Sequence, residues 1–120
     1  MKKLFLFLAL STTIFAQEKI DLGTLKGGGY QILMPAKWNK KLVMYAHGYQ
    51  FMGTPAASAN AGLDKRLRVI LDRGFAIAAS DYPIQGFAMA EGVDATEELR
   101  QAFIKKMGQP DSTFMMGHSM

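Results

Sequence analysis

Polar and apolar residues alternate through Lys19-Ile20-Asp21-Leu22-Gly23-Thr24-Leu25, and again, more weakly, over residues 30–34 until Pro35 stops the pattern. A period of two sets one face on a core and the other in water, so the two stretches predict a half-exposed antiparallel hairpin. Gly27-Gly28-Gly29 lies between them and predicts its turn. No Lys-Ser or Lys-Thr follows the glycines and no helix opens there, which sets aside a phosphate loop. From residue 42 the pattern changes. Residues 42–46 (LVMYA), 75–79 (FAIAA) and 114–116 (FMM) are unbroken apolar runs, as strands covered on both faces require.

Helical spacing fills the intervals between these runs. Leu63, Leu67, Ile70 and Leu71 fall at i, i+4, i+7 and i+8, with Gly74 placed to stop the helix. Asp94, with Glu97 three residues on, predicts a capping box. Ala95, Leu99, Ala102, Phe103 and Met107 then share one face until Gly108 and Pro110. The fold class is therefore α/β: an antiparallel hairpin followed by a parallel β-α-β-α-β series. Neither an internal repeat nor an interdomain linker interrupts residues 17–120.

The first sixteen residues are organised differently. Lys2-Lys3 precede an uncharged apolar stretch over residues 4–10, and small Ala16 stands before Gln17. This is the pattern of a cleaved signal peptide, and it predicts a secreted or periplasmic protein. The apolar stretch falls short of the roughly 20 residues of a stable span, so no membrane anchor is expected after cleavage. The chain has no Cys, so an exported domain would be held by packing alone. Its 49% hydrophobic and 20% charged composition is globular. Without Lys2 and Lys3 the 14 basic residues fall to 12 against 10 acidic, and Lys40-Lys41, Lys65-Arg66 and Lys105-Lys106 are scattered pairs. That pattern argues for solvated faces and against a nucleic-acid partner.

Two segments carry chemistry. Gly117-His118-Ser119-Met120 supplies four positions of a G-x-S-x-G nucleophile elbow, directly after the apolar run that ends at Met116. A Gly-x-Ser match arises by chance about once in two chains of this composition, so its position after a buried strand carries the reading. His47-Gly48-Tyr49-Gln50 follows the run that ends at Ala46, where a tight loop can aim backbone N–H groups at an oxyanion. Neither His is expected to be the base: His118 points away from its neighbour Ser119, and His47 braces its loop. Asp81 is expected to fix a turn. The two His with Asp81 and Glu91 lack metal-ligand spacing, so no metal or other cofactor is expected. Met44, Met89, Met107, Met115 and Met116 are core fillers.

The order of hairpin, apolar strand with His-Gly, helix, strand with Ser80-Asp81-Tyr82, helix and strand with Gly-His-Ser-Met resembles the α/β-hydrolase superfamily over residues 17–120. The resemblance implies a serine hydrolase that cleaves a small-molecule ester or a peptide through an acyl-enzyme. Ser119 is its nucleophile, and the oxyanion hole consists of the N–H groups of Tyr49 and Met120. His47 and Gly48 support that loop, and Gly117 and His118 form the elbow. Gln50, Phe51, Met52, Tyr82 and Gln85 are candidate pocket residues. The resemblance puts the triad acid and His after the nucleophile and implies a sheet of about eight strands, of which these residues supply the first five. The 120-residue chain is accordingly expected to hold an incomplete sheet, to be inactive by itself and to self-associate. A non-catalytic binding domain that keeps the fold, and an acyltransferase using the same elbow, are the alternatives.

Overall fold

The computed structural model describes residues 16–55, 65–117 and 119. Most of the expected signal peptide, Leu63, His118 and Met120 lie outside the described residues. The described elements are β1 (Lys19–Leu25), β2 (Gly28–Met34), β3 (Lys41–Ala46), α1 (Lys65–Asp72), β4 (Ala76–Ser80), α2 (Met89–Met107) and β5 (Ser112–Gly117). They form an α/β unit around one mixed sheet of order β1-β2-β4-β3-β5. β3 runs parallel to both β4 and β5, while β2 is antiparallel to β1 and β4.

The hairpin turns one residue earlier than the glycine run suggests. Leu25 pairs with Gly28, which leaves Lys26 and Gly27 as a two-residue loop, both at positive φ (45° and 88°). Such a turn matches the right-handed twist of the strands it joins. Gly28 and Gly29 are thereby drawn into β2. The hairpin is also less exposed than expected, because β2 is an interior strand flanked by β1 and β4. Ile32 and Leu33, on its opposite faces, are both buried.

Alternation along the interior strands divides the core in two. Tyr30, Ile32, Leu42, Met44, Ala76 and Ala78 face α2 and pack with Leu99 and Phe103. Leu33, Val43 and Ile77 face the other way and pack with Leu67 and Leu71 of α1. Covering both faces explains why β3 and β4 show apolar runs instead of alternation. β5 departs from that expectation: it is an edge strand with Phe114 and Met115 exposed, and Met89, also expected in the core, is exposed on α2.

Helix α1 ends in a Schellman motif. Gly74 (φ 87°) donates to the Leu71 carbonyl at 2.9 Å, and Phe75 N–H reaches the Ile70 carbonyl at 3.4 Å. Helix α2 departs from its expected start. It begins at Met89, after Ala88, so Asp94 lies inside the helix and caps nothing. Glu97 does not reach back to an N-cap either; it accepts from Arg100 and Gln101 on the exposed face. The earlier start lets Gly92 pass under the Tyr82 ring, where an added Cβ would sit 3.0 Å from the ring.

Candidate functional site

The carboxyl ends of three parallel strands bring together the loops that the sequence singles out. Ala46, the last residue of β3, is in register with Gly117, the last of β5, and β4 ends at Ser80 on the other side of β3. α1 and α2 lie on opposite faces of the sheet, so the connections that leave β3 and β4 lead to opposite faces. In open α/β sheets the carboxyl ends of the strands are where ligands bind.

Ser119 stands just beyond β5, exposed, with φ 36°. Positive φ in a residue with a Cβ costs on the order of 1–3 kcal/mol and gathers at functional turns. Its carbonyl oxygen accepts from the Tyr49 N–H at 3.1 Å, joining the β5 end to the His47–Gly48–Tyr49 loop. The donor expected to face an oxyanion is thus engaged with the backbone of Ser119. A Cβ on Gly117 would meet Ala46 at 3.4 Å, an ordinary contact, so no close approach among the described residues demands glycine there.

His47 braces its loop through both faces of its chemistry. Nδ1 lies 2.7 Å from the Gly48 carbonyl oxygen, which can only accept, so Nδ1 carries the proton. Nε2 is then an acceptor, buried and without a donor among the described residues. The imidazole stacks on Tyr82 with centroids 4.0 Å apart, and the Tyr82 hydroxyl donates to the His47 carbonyl at 3.5 Å. Tyr82 is itself tightly held. It has φ 61°, its N–H donates to Ser80 Oγ at 3.0 Å, and its ring is wedged against Gly92. Burial raises its phenol pKa above the ordinary value. Asp81 is also buried, and its N–H donates to the Gly29 carbonyl at 2.8 Å, which extends the β2–β4 pairing by one residue; the side chain that fixes the turn is that of Ser80.

The remaining candidate residues divide by role. Gln85 does not offer a free amide to a pocket. Its Oε1 accepts from Gly53 N–H and its Nε2 donates to the Thr54 carbonyl, both at 2.7 Å, so it fastens the β4–α2 connection to the β3–α1 connection. A bridge between Gln50 and Gly86 runs alongside. Phe51 and Met52 stand out into solvent at 71% and 84% exposure. Phe87, which sequence reasoning missed, joins them, and its ring is 5.1 Å from that of Tyr49.

A separate apolar groove of about 410 Å³ runs between α2 and β5, lined by Ala46, Tyr82, Ala88, Val93 and Met115 among others. Of the expected pocket residues only Tyr82 borders it. Among the described residues no three His, Cys, Asp or Glu side chains gather as metal ligands, and no helix is long and apolar enough to cross a membrane. No protein-family model matches the chain, and no curated protein matches it significantly.

Proposed function

We propose that the chain is the N-terminal part of an α/β-hydrolase-type serine hydrolase that is exported after removal of about sixteen residues, with Ser119 as its nucleophile. The observation that carries this reading is Ser119 at positive φ just past a parallel strand, in backbone contact with the Tyr49 loop of the neighbouring parallel strand. An elbow needs that combination. A strained turn lifts the hydroxyl clear of the sheet, and an N–H-bearing loop must lie beside it. The strand order, with antiparallel β2 beside parallel β4, β3 and β5, agrees with the hairpin-first arrangement that the resemblance implies.

In the reaction, Ser119 Oγ attacks an ester or amide carbonyl and passes its proton to a His base. The new oxyanion is held by the N–H groups of Tyr49 and Met120, each worth on the order of 3 kcal/mol to the transition state. The oxyanion collapses and expels the alcohol or amine, which takes the proton from that His. Water, deprotonated by the same His, then releases the acyl group as a carboxylic acid and restores the Ser119 hydroxyl. The resemblance assigns the base and its acid partner to sequence that follows the nucleophile. Because the Ser119 carbonyl occupies the Tyr49 N–H, the hole forms only when that peptide turns aside. The same occupancy favours the second reading, a binding domain that keeps the fold without catalysis.

A fluorophosphonate probe tests the first reading against the second. The full-length protein is expected to be labelled at Ser119, and Ser119→Ala to lose both labelling and ester turnover. Labelling that persists in the variant would move the nucleophile elsewhere. Mass spectrometry of the exported protein is expected to find its N-terminus at Gln17 or within a few residues of it; intact Met1 in that fraction would reject export by a cleaved signal.

A further inference from the structure

Two connections at the carboxyl ends of the strands carry three exposed aromatic rings, of which Tyr49 meets both of the others. Tyr49 meets Phe51 edge to face at 5.2 Å and 85°, and meets Phe87 at 5.1 Å and 60°. The rings are 40%, 71% and 75% exposed. Scattered exposed apolar residues are ordinary on a protein surface, but a contiguous set marks a place where something binds. Tyr49 packs against each Phe ring, so the three side chains make one apolar wall. A flat apolar ring can extend the edge-to-face series and gains about 0.5–1.5 kcal/mol beyond the area it covers.

The wall is also preorganised. Phe51 and Tyr49 sit on the connection after β3 and Phe87 on the connection after β4. Gln85 ties the two through Gly53 N–H and the Thr54 carbonyl, while Thr54 Oγ1 and N–H both donate to the Phe51 carbonyl. Gly86 N–H donates to the Gln50 carbonyl at 2.9 Å. These bonds hold the backbone on either side of each ring, so little ordering remains to be done when a ligand arrives. The wall is continuous with the candidate reaction centre, since the backbone N–H of Tyr49 is the group bonded to the Ser119 carbonyl.

We infer that Tyr49, Phe51 and Phe87 form the subsite that receives an aromatic group of the substrate, on two connections that Gln85 fastens together beside Ser119. This names a substrate class for the site proposed above and rests on that reading for its relation to Ser119.

The test uses two esters of similar shape, 2-naphthyl acetate and decahydro-2-naphthyl acetate. Their binding to full-length Ser119→Ala protein is measured by calorimetry. The aromatic ester is expected to bind about fivefold tighter, the size of one aromatic pair. Phe51→Leu and Phe87→Leu, added singly, keep apolar bulk at exposed positions and are each expected to reduce that preference about twofold. Gln85→Leu is expected to weaken naphthyl binding by a similar factor. Equal affinity for the two esters, or a preference that survives both Leu substitutions, would overturn the inference. So would a dimer by light scattering that dissociates on Phe87→Ala and shows no aromatic preference, since a second copy would then cover the rings. Turnover by the wild type is read separately. Aromatic preference without turnover leaves the subsite standing and removes the hydrolase, whereas turnover without preference removes the subsite alone.

Discussion

Adjacent glycines in the β1–β2 hairpin should respond to substitution in different ways, because one is required by space and the other by backbone angle. Gly28 is buried, and its φ lies outside the left-handed region. A Cβ there would come within 2.9 Å of the Tyr82 carbonyl carbon and 3.1 Å of both Pro83 N and Tyr82 O. All three are backbone atoms, so no rotamer change relieves the overlap. β2 and the turn after β4 would have to part, yet the Asp81 N–H to Gly29 carbonyl bond at 2.8 Å holds them together. Overpacking of this kind costs about 1–3 kcal/mol, and a strained hydrogen bond adds up to about 1. Gly28→Ala is therefore expected to lose about 2 kcal/mol in urea unfolding of the full-length protein, a change of roughly 30-fold in the folded-to-unfolded ratio. Gly27 meets nothing within 4 Å but stands at φ 88°. Asn tolerates that region, so Gly27→Asn should stay within about 0.5 kcal/mol of the wild type. A Gly28→Ala variant within 0.5 kcal/mol of the wild type, or a Gly27→Asn variant that loses more than Gly28→Ala, would refute the steric argument.

On α2, hydrogen bonds from Arg100 and then Gln101 hold the Glu97 carboxyl at about 2, below its ordinary 4.5. A depressed carboxylate pKa gives stability that is complete above 4.5 and is lost as pH falls through 2. Carbon-detected NMR titration should therefore show a Glu97 midpoint near 2, and a midpoint at or above 4 would refute the pairing. The β5 edge, Ser112–Gly117, carries no charge, and Phe114 and Met115 are 48% and 64% exposed. Expressed alone, the 120-residue chain is expected to self-associate, to bind hydrophobic dyes and to show no esterase activity above a Ser119→Ala control, while Met115→Lys should shift it towards monomer. A soluble monomer with a sharp cooperative melt would count against this expectation.

Local pattern was enough to establish that the strands exist, but not which of them are covered on both faces. Residues 42–46, 75–79 and 114–116 are apolar at consecutive positions, so β3, β4 and β5 were legible as strands, yet only β3 and β4 are interior, while β5 carries the same pattern on an exposed edge. Gly74 likewise marked the end of α1, because the Schellman motif is built from neighbouring residues. Which strands pair was decided by tertiary structure. Position along the chain does not reveal that β4 inserts between β2 and β3, nor that β2 thereby loses its exposed face.

Helix α2 illustrates the limit most directly. Asp94 and Glu97 satisfy a local capping rule, yet the helix begins earlier, at Met89, and carries Gly92 against the Tyr82 ring, a contact that no local rule reveals. The candidate site divides in the same way. The Gly-His-Ser segment and the His47-Gly48 loop could be read from spacing. The positive φ of Tyr82, the Gln85 clamp and the inclusion of Phe87 in the aromatic wall could not. Each depends on residues about 30 to 50 positions apart that touch only once the sheet has assembled, and loop-to-loop contacts of that kind leave no periodic trace in the sequence.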